Sequence, residues 1–286
     1  YDARNKSWSD EICNIIGLST DRLPKVLSPE SIAGHLLPTA AQDTGLVPGI
    51  PVAIGSGDSV VEAFGVGIVE PGQTIVKLAS AGNVNVVTSE PRPSIQTITY
   101  PHVVKGRWFS IAATNSGTTT LRWFRDTFHL TDVSMSDLET SNSFDFIEQV
   151  ASNVPIGCEG LIFHPYLMGE RSPYWDAQLR GDFVGISARH RISHFTRAVL
   201  EGVAFSIRDC LEIIEDLGET ITNICIMGGG TNSHLWCQIL CDVLGRPLWR
   251  PNIKDAAYGA ALLAGVAVRL FDDWQKIPRN ALKIEI

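Results

Sequence analysis

Strands and helices alternate along this chain, which predicts an α/β fold with a mixed sheet flanked by helices. Three observations carry that expectation. Apolar runs at Ile75 to Leu78, Asn83 to Thr88, Thr97 to His102 and Trp108 to Ala113 follow one another across short breaks, as antiparallel strands do. The run Ile221 to Ile226 instead leads through Met227-Gly-Gly-Gly-Thr-Asn-Ser233 into a helical pattern near His234. Finally, His194 to Leu217 places Phe195, Val199, Val203 and Ile207 on one stripe, the mark of a long amphipathic helix.

The remaining elements follow in order. Residues 7 to 17 and 29 to 45 carry helical patterns bounded by Pro24, Pro38 and Pro48, and Val52 to Ile54 reads as a strand. Asp58 to Gly67 reads as a helix rich in small residues, and Pro71-Gly72 as a turn. Apolar spacing at Leu121, Phe124 and Phe128 predicts a helix over Thr118 to Phe128, and Gly160 to Pro165 a short buried strand. Gly169 to Gly185 lacks periodicity and is dense in Gly, Arg, Pro, Tyr and Trp, which marks a functional or interface loop. Ala256 to Val268 closes the series as a helix whose Gly259, Ala260, Ala264 and Gly265 permit close packing.

Composition narrows the partners. The 286 residues suffice for one large domain or two smaller ones, and 44% hydrophobic with 19% charged residues is ordinary for a globular protein. A net charge of −8 without a Lys/Arg run argues against nucleic acid or an anionic membrane as partner. No stretch reaches the roughly 18 apolar residues of a membrane span, so the expectation is a cytoplasmic protein acting on small molecules. The six cysteines, Cys13, Cys158, Cys210, Cys225, Cys237 and Cys241, lack metal-site spacing and read as buried reduced thiols. His164, His194 and His234 show no metal-ligand spacing either. A homodimer is compatible with these residues and not required by them.

The chemistry-bearing signal is glycine. A strand, three glycines and a helix start is the geometry of a phosphate cradle, because glycine lets backbone approach a ligand and the helix start offers unpaired N–H groups. The same arrangement serves as a plain tight turn. Gly55-Ser-Gly-Asp58 and Ala79-Ser-Ala-Gly82 also end apolar runs, so three turns are expected to converge on one small anionic ligand.

The order of these segments resembles the C-terminal half of the FGGY carbohydrate kinases. The matching residues are Gly55-Ser-Gly-Asp58 with Gly65-Val-Gly67, then Leu78-Ala-Ser-Ala-Gly82, Gly117 with Leu121 to Asp126, Gly169-Glu-Arg-Ser-Pro-Tyr-Trp-Asp176 with Arg180-Gly181, Gly228 to Ser233, and Asp255-Ala-Ala-Tyr-Gly-Ala-Ala261. The Pro101 to Trp108 and Tyr166 to Trp175 blocks resemble the xylulokinase branch, while gluconate kinases share a similar Gly-Glu-Arg-x-Pro loop. The resemblance implies a ribonuclease H-like fold of the actin/hexokinase ATPase type. It also implies ATP-dependent phosphorylation of a small sugar hydroxyl, with Mg²⁺. Family members open with a glycine- and threonine-containing phosphate hairpin that does not stand before Tyr1. On this resemblance residues 1–67 are the tail of an N-terminal domain, and 68–286 its C-terminal partner domain.

The resemblance assigns roles residue by residue. Asp58 takes the proton of the sugar hydroxyl, although an aspartate at a helix start also acts as a cap. Ser59 sits where relatives touch the sugar. Ser80 stands for the threonine of the phosphate turn and keeps its hydroxyl, while Ala79 replaces the usual glycine with a methyl that restricts the turn and works against tight phosphate binding. Gly229, Gly230, Asn232 and Ser233 form the adenine and ribose end of the nucleotide site, and Gly117 with Leu121 the opposite wall. Trp123 and Phe124 are expected to pack rather than bind. Glu170, Arg171 and Asp176 are expected to form a buried ion-pair network that fixes their loop rather than to do chemistry.

Overall fold

The computed structural model describes residues 1–128, 130, 143–252, 255–271, 274, 277 and 283–285. Among them the first elements are α1 (Asp10–Ile15), β1 (Ile32–His35), α2 (Pro38–Thr44) and β2 (Pro51–Ala53), with β1 and β2 pairing antiparallel. The helical pattern read over 29 to 45 therefore divides, with a four-residue strand in its first part. The alternation Ile32-Ala-Gly-His35 satisfies its backbone groups on β2, and Pro38 then opens the helix at a position where no N–H is needed.

The main sheet follows. Its strands are β3 (Gln73–Leu78), β4 (Gly82–Thr88), β5 (Ile98–Pro101), β6 (Trp108–Ala113), β9 (Asn223–Met227), β10 (Leu248–Pro251) and β11 (Lys283–Glu285). A separate pair, β7 (Ile162–His164) and β8 (Asp182–Val184), lies between. The order across the sheet is β11-β10-β9-β3-β4-β6-β5. β3, β4, β6 and β5 are antiparallel neighbours, whereas β9 lies parallel to both β3 and β10. The sheet is mixed, as the alternation predicts.

Helices cover both faces. α3 (Asp58–Gly65) and α8 (Ala256–Ala267) pack on one, and α4 (Thr118–Thr127), α5 (Ser143–Ser152), α6 (Ile192–Asp216) and α7 (His234–Leu244) on the other. The strands alternate accordingly. In β3, Val76 and Leu78 join the α6/α7 core while Ile75 joins the α3/α8 core; in β9, Ile224 and Ile226 go one way and Cys225 and Met227 the other. Trp236, fully buried, donates its indole N–H to the Leu200 carbonyl at 3.1 Å and so locks α7 against α6.

α3 and α8 cross through glycine. A Cβ on Gly259 would stand 1.7 Å from the Val61 carbonyl oxygen, and one on Gly65 would stand 3.0 Å from Gly259 Cα. The small residues foreseen in 256 to 268 thus set the depth at which α3, the helix beginning at Asp58, sits against the sheet. α5 and β10 were not foreseen, because short apolar stretches without caps do not declare their period.

Candidate active site

β3 and β9 are parallel neighbours, so the turns at their C-terminal ends lie side by side, the place where open α/β sheets bind ligands. The two turns are pressed together by glycine. Gly228 has φ +102°, and a Cβ there would stand 2.5 Å from the Leu78 carbonyl oxygen. A Cβ on Gly230 would meet the Leu78 side chain at 2.4 Å. Gly229 differs, being exposed with nothing within 4 Å of its Cβ position. It is the one of the three glycines that leaves open backbone for a ligand.

A third turn joins them. Gly117, which opens α4, packs so closely that a Cβ would stand 2.4 Å from the Ala79 carbonyl oxygen and 2.7 Å from that of Ser80. Thr118 N–H donates to the Ala79 carbonyl at 2.7 Å, Thr119 N–H to the Ser80 carbonyl at 3.3 Å, and the Thr119 hydroxyl also donates to Ser80. The carbonyls of the 79–80 turn are thereby turned inward, and the exposed Ser80 hydroxyl faces Arg122 Nη2 at 3.4 Å. Arg122 is a cation beside the turn that sequence reasoning passed over. Nothing local marks it, since its place depends on how α4 packs on the β3–β4 hairpin.

The loop at 169–176 supports this turn from behind. Glu170, 4% exposed, accepts from the Thr114 hydroxyl at 2.5 Å, from Asn115 N–H at 2.6 Å and from Arg171 N–H at 2.7 Å. The Arg171 guanidinium donates to the Thr114 carbonyl at 3.0 Å, and Asp176 accepts from Gln178 N–H at 2.7 Å. The expected ion-pair network is thus replaced by hydroxyl and backbone donors around one carboxylate. The reason is reach: strand end and loop lie so close that their own N–H groups fill the carboxylate's lone pairs. Further back, burial pushes the Tyr166 and Tyr174 hydroxyls and the Asp209 carboxyl up, and Tyr174 donates to Asp209 at 3.1 Å.

Asp58 stands exposed at the first position of α3, preceded by Gly57, which supplies no capping side chain. Its Oδ1 accepts from Ser59 N–H at 2.6 Å. The Ser59 hydroxyl accepts from Lys77 Nζ at 3.2 Å, and the same ammonium pairs with Glu62. Lys77 belongs to β3, one residue before Leu78, so the Gly55–Asp58 turn is tied to the strand that ends in the Ala79–Ser80 turn.

The other sequence candidates divide. Asn232 is exposed beside Gly229. Ser233 is 4% exposed and caps α7 by accepting from Trp236 N–H at 3.1 Å. Leu121 is 2% exposed in the α6/α7 core with Phe124, and Trp123 stacks on Phe163 with centroids 6.4 Å apart.

The C-terminal domain model of the FGGY family of carbohydrate kinases matches residues 81–268, and its N-terminal domain model matches residues 1–65. The chain belongs to the FGGY family of carbohydrate kinases. This FGGY chain is 30% identical over 281 residues to a xylulose kinase of Bacillus subtilis (strain 168), covering 97% of this chain and 54% of that protein. It is 28% identical over 273 residues to a gluconokinase of the same organism, covering 94% and 53%. Among solved structures, a xyloylose kinase from Brucella ovis superposes with a TM-score of 0.86 at 29% identity, over 99% of this chain and 57% of that one. The architecture is that of the FGGY sugar kinases, the actin/hexokinase type of ATPase fold, and the FGGY chain spans about half the length of the curated relatives it matches.

Proposed function

We propose that this chain supplies the nucleotide side and the proton acceptor for ATP-dependent phosphorylation of a small sugar hydroxyl, with a xylulose-like ketose as substrate. The observation that carries the reading is the meeting of three glycine turns at one end of the sheet, with Asp58 tied to the same strand by Lys77. Gly229, Asn232 and Ser233 would border the adenosine, with Gly117 and the wall below it held by Leu121. Ser80 and Arg122 would meet the phosphates. Asp58, with its second oxygen free of the Ser59 bond, would accept the hydroxyl proton as the phosphoryl group transfers.

Transfer of this kind draws on Mg²⁺, which spreads the charge of the β- and γ-phosphates. Among the described residues no group of three or more His, Cys, Asp or Glu is placed to cage a metal. The ion would be carried on the phosphates with most of its waters.

Two finer readings belong with this. Residues 1–67 are the closing part of an N-terminal domain and 68–286 the partner domain, a division supported by the separate family models. The sugar is xylulose-like or gluconate, since a xylulose kinase and a gluconokinase match at nearly equal identity. No described helix is long and apolar enough to cross a membrane, in keeping with a cytoplasmic site of action. A panel of pentuloses and aldonates with ATP, assayed on the full-length protein for ADP release, tests the proposal. Turnover on a ketopentose supports it, turnover on gluconate alone shifts the substrate, and turnover on no sugar alcohol group refutes it.

A further inference from the structure

The Asp58 turn has little side-chain anchorage of its own, although its Gly55 N–H donates to the Pro29 carbonyl at 3.0 Å. Gly55 has φ +77°, Gly57 brings no cap, and neither has an atom within 4 Å of its Cβ position. The apolar grip on α3 runs through Val60, Val61 and Phe64 to the Gly65–Gly259 crossing, and leaves Asp58 exposed and Ser59 half-buried. What ties the polar side of that first turn is Lys77. Its side chain, 13% exposed, reaches from β3 to the Ser59 hydroxyl and to Glu62, whose own side chain is 18% exposed. Asn83, directly across β4 from Lys77, buries an Oδ1 with no described partner, a further acceptor on that face.

We propose that Lys77 is a positioning residue that holds Asp58 in register with the Leu78–Ala81 turn, acting through Ser59 and Glu62. The inference rests on the kinase reading of the site. One strand then carries both constraints: its last residues form the turn assigned to the phosphates, and the residue just before them fixes the helix bearing the base. Charge supports the arrangement. Asp58 and Glu62 are four apart on one helix, where like charges repel, and the ammonium beside Glu62 offsets that repulsion. In-line transfer tolerates little displacement, a misplacement of about 1 Å costing about 10²-fold in rate.

The test is a double-mutant cycle in the full-length protein, with the sugar that it phosphorylates. Lys77→Met lowers kcat by about 10- to 100-fold while KM for ATP stays within about twofold, and Lys77→Arg restores most of the loss. In an Asp58→Asn background, Lys77→Met costs less than about threefold, because the residue that it positions no longer works. Full additivity with Asp58→Asn, or a raised KM at unchanged kcat, overturns the proposal. Should Lys77→Met fail to fold, Glu62→Gln with Lys77→Met removes both charges and serves in the same cycle. Amide hydrogen exchange reads the anchor without activity: exchange at Ser59 to Glu62 rises at least about tenfold in Lys77→Met with other amides unchanged. Unchanged exchange there overturns the anchor, whereas faster exchange with wild-type turnover in Asp58→Asn overturns the base assignment and the positioning role, leaving the anchor.

Discussion

Replacing Asp58 by asparagine separates a base from a cap. The side chain is exposed, and its one described hydrogen bond, from Ser59 N–H at 2.6 Å, ends on an oxygen that asparagine also has. What the substitution loses structurally is the charge at a helix N-terminus, worth about 0.3–1 kcal/mol. In a domain of this size that lowers Tm by no more than about 4 °C. On the proposed role it also loses a proton acceptor, and removal of a general base costs typically 10²–10⁴-fold, or about 2.7–5.4 kcal/mol of transition-state stabilisation. The chemical effect therefore exceeds the structural one severalfold. The assay is ADP release by the full-length Asp58→Asn protein with its sugar, alongside ATP affinity by calorimetry and a thermal melt. The expected result is turnover down at least 100-fold with ATP affinity and melt nearly unchanged. Near wild-type turnover would refute the reasoning and leave Asp58 as a helix-start residue only.

Three further expectations follow from the geometry. Gly229→Ala leaves the melt within about 1 °C but raises the KM for ATP, whereas Gly228→Ala, forced to φ +102° and into the Leu78 carbonyl, lowers stability by about 1–3 kcal/mol; equal melts for the two variants would contradict the packing described. Gly259→Ala drives a methyl into the Val61 carbonyl, parts α8 from α3 and costs about 1–3 kcal/mol with a loss of turnover, read by denaturant unfolding and activity together. Burial pushes the Cys158 and Cys210 thiols up, Cys158 also through the adjacent Glu201 and Cys210 through Glu170, and all six cysteines are buried. Native protein at pH 8 is accordingly expected to react with no thiol reagent until denaturant is added; rapid labelling of either residue would show that the α6 core opens.

Much of the architecture was legible in the sequence, because period and punctuation are local. The period-2 runs at 75–78, 83–88 and 108–113 became β3, β4 and β6 within a residue or two, and the stripe through Phe195 and Ile207 became α6. The sequence motifs also sufficed to name the family, and they nominate Asp58, Ser80 and Gly229 as candidates. Elsewhere local pattern misled: the helix read over 29–45 holds the strand Ile32–His35 ahead of α2, since pairing with β2 outweighs propensity.

Tertiary structure decided which residue of each motif is open and which is packed. Three consecutive glycines look equivalent in sequence, yet Gly228 and Gly230 are filled by Leu78 and only Gly229 is open. Leu121 lies on the helix that Gly117 opens but turns into the core, because the buried stripe of α4 runs through it and Phe124. Lys77 reads as the polar residue of an alternating strand. Its meeting with Ser59 and Glu62 depends on how deeply α3 settles, which is set by a glycine crossing with α8 almost two hundred residues away. Local residues determine what each element is; close packing between distant elements determines what it touches.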